Sequence, residues 1–211
     1  MNFFEECFSV FQKGGPVMYL ILLCSLLVVT IGIERFMYYR CLKNDMKGFI
    51  EKITPVLERS DWQSALQLCQ KEEGIVATVA MQGIQCFQNH VYHMESVLEG
   101  EAAAAVAGLK ENLTHLDTIV TIAPLLGLLG TVVGMIQSFS VMNVKAGQPM
   151  AITGGVGEAL IATASGLCVA ILAMAVYSYF NHRLDKTITQ IEQVCTLLIK
   201  QIKRENRHEI A

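Results

Sequence analysis

The sequence predicts an all-α membrane protein with three transmembrane helices, the second and third extending far into the cytoplasm, and a small helical cytoplasmic domain. Three observations carry this. The 211-residue chain is 53% hydrophobic and 17% charged, too apolar for an ordinary soluble domain and too charged to be wholly embedded. Three long stretches are almost free of charge. Apolar residues recur at steps of three and four just before the second of these and just after the third, which is helical periodicity.

Residues 3–11 place Phe3, Phe4, Cys7, Phe8 and Phe11 on one helical face, with Glu5, Glu6, Ser9 and Gln12 elsewhere. This predicts an amphipathic helix over 1–13, lying in the membrane interface or packed on the first span. No basic residue precedes Lys13 and no small-residue cleavage site follows the first apolar run, so a cleaved signal peptide is not expected. Gly14, Gly15 and Pro16 end the helix. From Pro16 to Ile33 no residue is charged, and Glu34, Arg35, Tyr38 and Tyr39 follow. The length suits a bilayer core and the Arg and Tyr residues an interface, so 16–37 is the first span. Glu34 beside Arg35 is expected as an interfacial ion pair.

Residues 40–118 read as the aqueous domain. Pro55 is expected to break a first helix, Ser60 and Asp61 to cap a second carrying Trp62, Ala65, Leu66 and Cys69, and Gly74 to close it. A third helix over about 75–89 has Val76, Val79, Ala80, Gly83 and Phe87 on one side. His90, His93 and Glu95 lack further ligands at matching spacing, so no metal site is expected. Ser96-Val97-Leu98-Glu99 has the capping-box pattern. The row Val106, Leu109, Leu113, Leu116, Val120 then predicts one helix running unbroken from water into the membrane.

The second span, 119–142, carries Gly127, Gly130 and Gly134 on one face, where missing side chains let a neighbouring helix approach closely. Pro124, Thr131 and Ser138, seven apart, form a more polar face. Thr131 reads either as a pathway hydroxyl or as one bonded to its own preceding turn. A connection over 143–155, with Lys145, Gly147, Pro149, Gly154 and Gly155, leads to the third span, 156–180. That span has its own small-residue row, Ala162, Gly166 and Ala170, and carries Glu158, Thr163 and Ser165. A charge in hydrocarbon costs roughly 2.5–3.5 kcal/mol even on lenient scales, so Glu158 needs a partner, a cavity or an ion path. The alternative is a hydrated carboxylate in the helix's first turn, favoured by the helix dipole. Over 181–211, Leu184, Ile188, Ile191, Cys195, Leu198 and Ile202 continue in heptad-like steps. The third helix is thus expected over about 155–204, roughly 75 Å long, with an extended second helix as its companion.

Of the 16 basic residues, six follow the first span (Arg35, Arg40, Lys43, Lys47, Lys52, Arg59) and six the third (Arg183, Lys186, Lys200, Lys203, Arg204, Arg207). Positive-inside counting places the N-terminus and the 143–155 loop outside, in the periplasm, and the 40–118 domain and C-terminus in the cytoplasm. The seven cysteines are scattered without a CxxC pair, the net charge of -3 gives no basic stripe for nucleic acid, and no nucleophile–base pair points to an enzyme. One intramembrane carboxylate with two small-residue packing faces instead suggests a subunit of an oligomeric ion path.

The segments GGPVMYLILLCSLLVVTIGIERFMYYR, APLLGLLGTVVGMIQSF and GEALIATASGLCVAI, in this order, resemble the ExbB/TolQ branch of the MotA/TolQ/ExbB proton-channel family. The resemblance covers all three spans, and the paired motifs GLLGTVxGM and GEALIATA are its specific part. It implies a cytoplasmic-membrane motor subunit, with five copies enclosing the single transmembrane helices of an ExbD/TolR-like partner. That partner contributes a protonatable aspartate, and its movement is passed to a TonB/TolA-like transducer. No cofactor is implied beyond the transmembrane proton gradient. Glu158, Thr131 and Thr163 match the family's pore-lining residues. Relatives often carry a proline after an Ala-Ile pair in the third span, where this chain has Leu172. On an ideal helix Thr163 is about 140° from Glu158, so the two are expected at different depths or on adjacent subunits. A TolQ-like envelope role, a non-conducting scaffold and sodium coupling are the alternatives.

Overall fold

A computed structural model of the chain describes residues 14–41, 46–72, 74–89, 93–144 and 149–209. The expected interfacial helix over 1–13 lies outside these residues, as does His90. The described residues form seven helices and no strand: α1 Val17–Cys41, α2 Met46–Glu58, α3 Trp62–Lys71, α4 Ile75–Gln88, α5 Met94–Lys110, α6 Leu113–Val144 and α7 Pro149–Glu209. Stretches of α1, α6 and α7, within Val17–Arg40, Leu113–Ser140 and Gly154–Glu205, are long and apolar enough to cross a membrane.

The chain divides into two compact units. The first holds residues up to Glu34 together with Asn112–Tyr179. Its outward faces are strongly apolar: Leu23 and Leu26 on α1, Leu125 and Ile136 on α6, and Leu160 and Ile171 on α7 are all exposed. Such surface is stable only against lipid or other apolar helices. Inside, Val17, Met18 and Ile21 of α1 form a buried cluster with Leu126 and Val133 of α6 and Ile161 and Val169 of α7.

The second unit holds Arg35–Glu111 and the residues from Phe180 onward. Here α7 buries Leu184, Ile191, Val194, Leu198 and Ile202. Around it, Ile53 and Leu57 of α2, Ala65 and Cys69 of α3, Val76, Val79, Ala80 and Ile84 of α4, and Leu98 and Leu109 of α5 complete a core of aliphatic side chains. Polar ties fix its edges. The Trp62 indole N–H donates to Glu205 at 2.8 Å and its ring lies 4.6 Å from that of Phe87. Lys203 pairs with Glu95, Lys52 with Glu72, and the Tyr39 hydroxyl donates to the Leu109 carbonyl at 3.2 Å.

Several local expectations are corrected. Pro55 does not break α2, which continues to Glu58. The carbonyl its missing N–H releases is that of Glu51, an exposed residue that water can serve, so the cost is low enough for packing to override. The Asp61 cap is present, its carboxylate accepting from the Ser64 N–H at 3.1 Å, but α3 stops at Lys71 and Gly74 opens α4. Ser96 does not start α5. The helix begins at Met94 behind His93, whose φ of 65° is left-handed. The run from water to membrane is not one helix either, for α5 ends at Lys110 and α6 begins at Leu113, with Asn112 at φ 62° between them. Asn is among the few residues that take this conformation readily. Its side-chain amide donates to Glu34 Oε2 at 2.9 Å. The companions of α7 in the second unit are therefore short helices and not an extended second helix.

Candidate functional site

The connection expected over 143–155 is shorter than it looked, since α6 reaches Val144 and α7 already begins at Pro149. Proline suits a first helical position because its missing N–H is one that a helix start leaves unpaired anyway. Gly154, Gly155 and Gly157 accordingly lie inside α7. This moves Glu158 nine residues into the helix, into its third turn. The stabilising field of a helix end fades within the first turn, so the dipole does not account for this carboxylate.

Glu158 is half-buried in the first unit. Its Oε1 packs against the α-carbon of Gly15, in the turn before α1, and occupies the place a side chain at position 15 would take. Thr163 is also half-buried, and its hydroxyl donates across to the Gly127 carbonyl on α6 at 3.1 Å. Thr131 donates to the Leu128 carbonyl of its own helix at 2.6 Å, the local bond foreseen as its alternative. Within this chain the three residues are held separately: Glu158 against Gly15, Thr163 against α6, and Thr131 on its own turn.

The small residues on α6 and α7 meet one another. A Cβ on Gly127 would stand 3.1 Å from the Thr163 α-carbon and 3.2 Å from the Ala162 carbonyl oxygen. One on Gly130 would strike the Ala162 methyl at 2.5 Å, and one on Gly134 would lie 3.1 Å from the Gly155 carbonyl oxygen and 3.2 Å from the Ala159 methyl. Gly166 faces the Ala123 carbonyl, which its Cβ would approach to 2.6 Å. Ala159, Ala162 and Ala170 are buried. Such approach lets two helices gain dispersion contact where lipid supplies no hydrophobic drive. Sequence reasoning missed the upper end of this seam. Gly155 packs on the buried Ser138, whose hydroxyl donates to the Gly134 carbonyl at 2.8 Å. The spacing Gly155, Ala159, Ala162, Gly166 carried that signal, hidden by placing Gly155 in a loop.

A sequence model of the MotA/TolQ/ExbB proton channel family matches residues 71–193, more than half of the chain and inclusive of Thr131, Glu158 and Thr163. The chain belongs to this family. Among named relatives, a biopolymer transport protein ExbB homolog of Methanothermobacter thermautotrophicus is 29% identical over 195 residues, 92% of this chain and 70% of the relative. An ExbB-like biopolymer transport protein of Synechocystis is 30% identical over 174 residues, covering 81% and 82% of the two chains. Biopolymer transport protein ExbB of Neisseria gonorrhoeae is 28% identical over 200 residues, 86% of this chain and 89% of the relative. Family and apolar helices together make this a multi-pass membrane protein.

Proposed function

We propose that the chain is the proton-conducting stator subunit of an ExbB–ExbD type inner-membrane motor. In this reading five copies surround the single-span helices of an ExbD/TolR-like partner. Proton flow through the assembly moves that partner, which energises a TonB-like transducer for outer-membrane transport. The observation that carries the reading is Glu158, a carboxylate in the third turn of a spanning helix of a proton channel family member. Among Glu158, Thr131 and Thr163, only the carboxylate can gain and lose a proton. The two hydroxyls already spend theirs on the Leu128 and Gly127 carbonyls, leaving oxygen lone pairs for water along the path. Proton entry is worth about 2.3 kcal/mol per 100 mV of membrane potential, enough to bias a partner's position.

In this reading the N-terminus is periplasmic, the C-terminus cytoplasmic and Glu158 toward the outer side, an orientation supported by the basic residues after the first and third spans. The names of the relatives favour the ExbB role over the TolQ role. The test is proton flux in liposomes holding this chain with and without its single-span partner. Flux that needs both proteins supports the reading. An assembled complex that stays proton-tight is the scaffold, and flux driven by a sodium gradient alone is sodium coupling; either overturns it.

A further inference from the structure

We propose that Gly15 is a positioning residue for Glu158: the missing side chain at position 15 forms the seat of the carboxylate, so the turn before α1 sets where the acid on α7 stands. This rests on the reading of Glu158 as a proton-pathway residue. Gly15 has φ 71°, the left-handed region that favours glycine, which directs the space a side chain would fill toward α7. That space holds Glu158. Besides Oε1, a Cβ on Gly15 would lie 2.9 Å from the carboxyl carbon and 3.4 Å from Cγ, so the whole end of the side chain lies over the glycine.

The seat is braced. The Gly15 carbonyl accepts from the Met18 N–H at 3.2 Å and that of Pro16 from Tyr19 at 3.4 Å, tying the turn into the start of α1. Val17, Met18 and Ile21 lock that start into the buried cluster with Ile161. Gly14, itself buried, packs toward Met18 and lies so that a Cβ would meet Ile161 at 3.3 Å, three residues on from Glu158. The turn thus grips α7 at 158 and 161 together.

A side chain at position 15 has two effects, and they separate. Backbone strain at positive φ does not depend on what residue 158 is. Displacement of the acid does, because Asp at 158 is one methylene shorter and withdraws from the seat. The experiment uses this chain with its single-span partner in proteoliposomes and reads proton flux and the infrared carboxyl band assigned to Glu158 by difference from Glu158→Gln.

Gly15→Ala is expected to shift that band and to lower flux about tenfold, the scale of loss when a reacting group is moved by an ångström or less. Adding Glu158→Asp to Gly15→Ala is expected to restore flux several-fold, whereas Glu158→Asp alone lowers it. Gly14→Ala, which crowds Met18 and Ile161, is expected to leave the band in place. If Gly15→Ala fails to assemble, Gly15→Asn tolerates the backbone and still fills the seat. An unmoved band in the position-15 variants, or an equal loss from Glu158→Asp in both backgrounds, overturns the proposal. Full flux in Glu158→Gln sinks the proton-pathway reading instead, with the band shift still reporting on the seat.

Discussion

Helix α7 packs by two different chemistries along its length. In the first unit its buried positions are Ala159, Ala162, Gly166, Ala170 and Ala173, all small. From Phe180 onward they are mostly large and apolar, Phe180, Leu184, Ile191, Val194, Leu198 and Ile202, with the polar Thr187 and Gln201 among them, in a row that again steps by three and four. The periodicity is one, but the solvent differs. In water a buried leucine removes apolar area from solvent, at about 25 cal/mol per Å2, so large residues hold the second unit together. In lipid the outward face is already as comfortable as the inward one, and what remains to be gained is close approach and dispersion contact. Small residues supply that approach. They also leave outward Leu160, Leu167 and Ile171 free to meet lipid or other helices.

Swapping sizes in either region breaks the comparison. The largest loss is expected for Leu198→Ala, because the side chain is fully buried beside Gly83: about 3 kcal/mol from transfer and cavity together, read as a lower denaturation midpoint of the second unit. Next is Gly166→Ala in the first unit, where the added methyl meets the Ala123 carbonyl and the Gly127 backbone, neither of which can rotate away. About 2 kcal/mol of overpacking is expected, measured as weakened resistance to detergent unfolding. The same substitution at Gly100, on α5 with open space around it, is expected to reverse sign and stabilise by about 1 kcal/mol through helix propensity. Equal effects at Gly166 and Gly100 would show that close approach does not shape the seam.

The smallest effect concerns Cys69, where burial in α3 pushes the thiol from 9.0 up to about 12. The unfolded thiol loses its proton first, so the folded state holds more protons between those values. Stability from this group is fully present below pH 9 and falls as pH rises toward 12. Alkylation of Cys69 at pH 8 should therefore be slow in the folded protein and fast after unfolding. Comparable rates would contradict its burial.

The same split explains what could be read from the sequence. The three spans, the two small-residue rows and the heptad row after Phe180 were legible because each is a periodic pattern with a single physical cause. Lost were places where one residue's local preference was outvoted or went unnoticed. Pro55 stays inside α2 because the freed carbonyl is on an exposed residue that water can serve, and Asn112 ends a helical run that no proline marks. The carboxylate of Glu158 stood out in sequence by its cost, but its contact with Gly15 did not, since 143 positions separate the two and no periodicity links them. Thr131 and Thr163 stood out as hydroxyls within apolar spans and took their pore-lining role from resemblance, and only their geometry distinguishes a hydroxyl bonded to its own turn from one bonded across the seam.

The central claim is that Glu158 carries or governs proton passage, and proton flux through the Glu158→Gln complex in liposomes tests it most directly. Glutamine keeps the size of the side chain and removes the exchangeable proton. The account predicts an intact assembly with flux reduced to the background of partner-free vesicles. Flux at the level of the unaltered complex would contradict it.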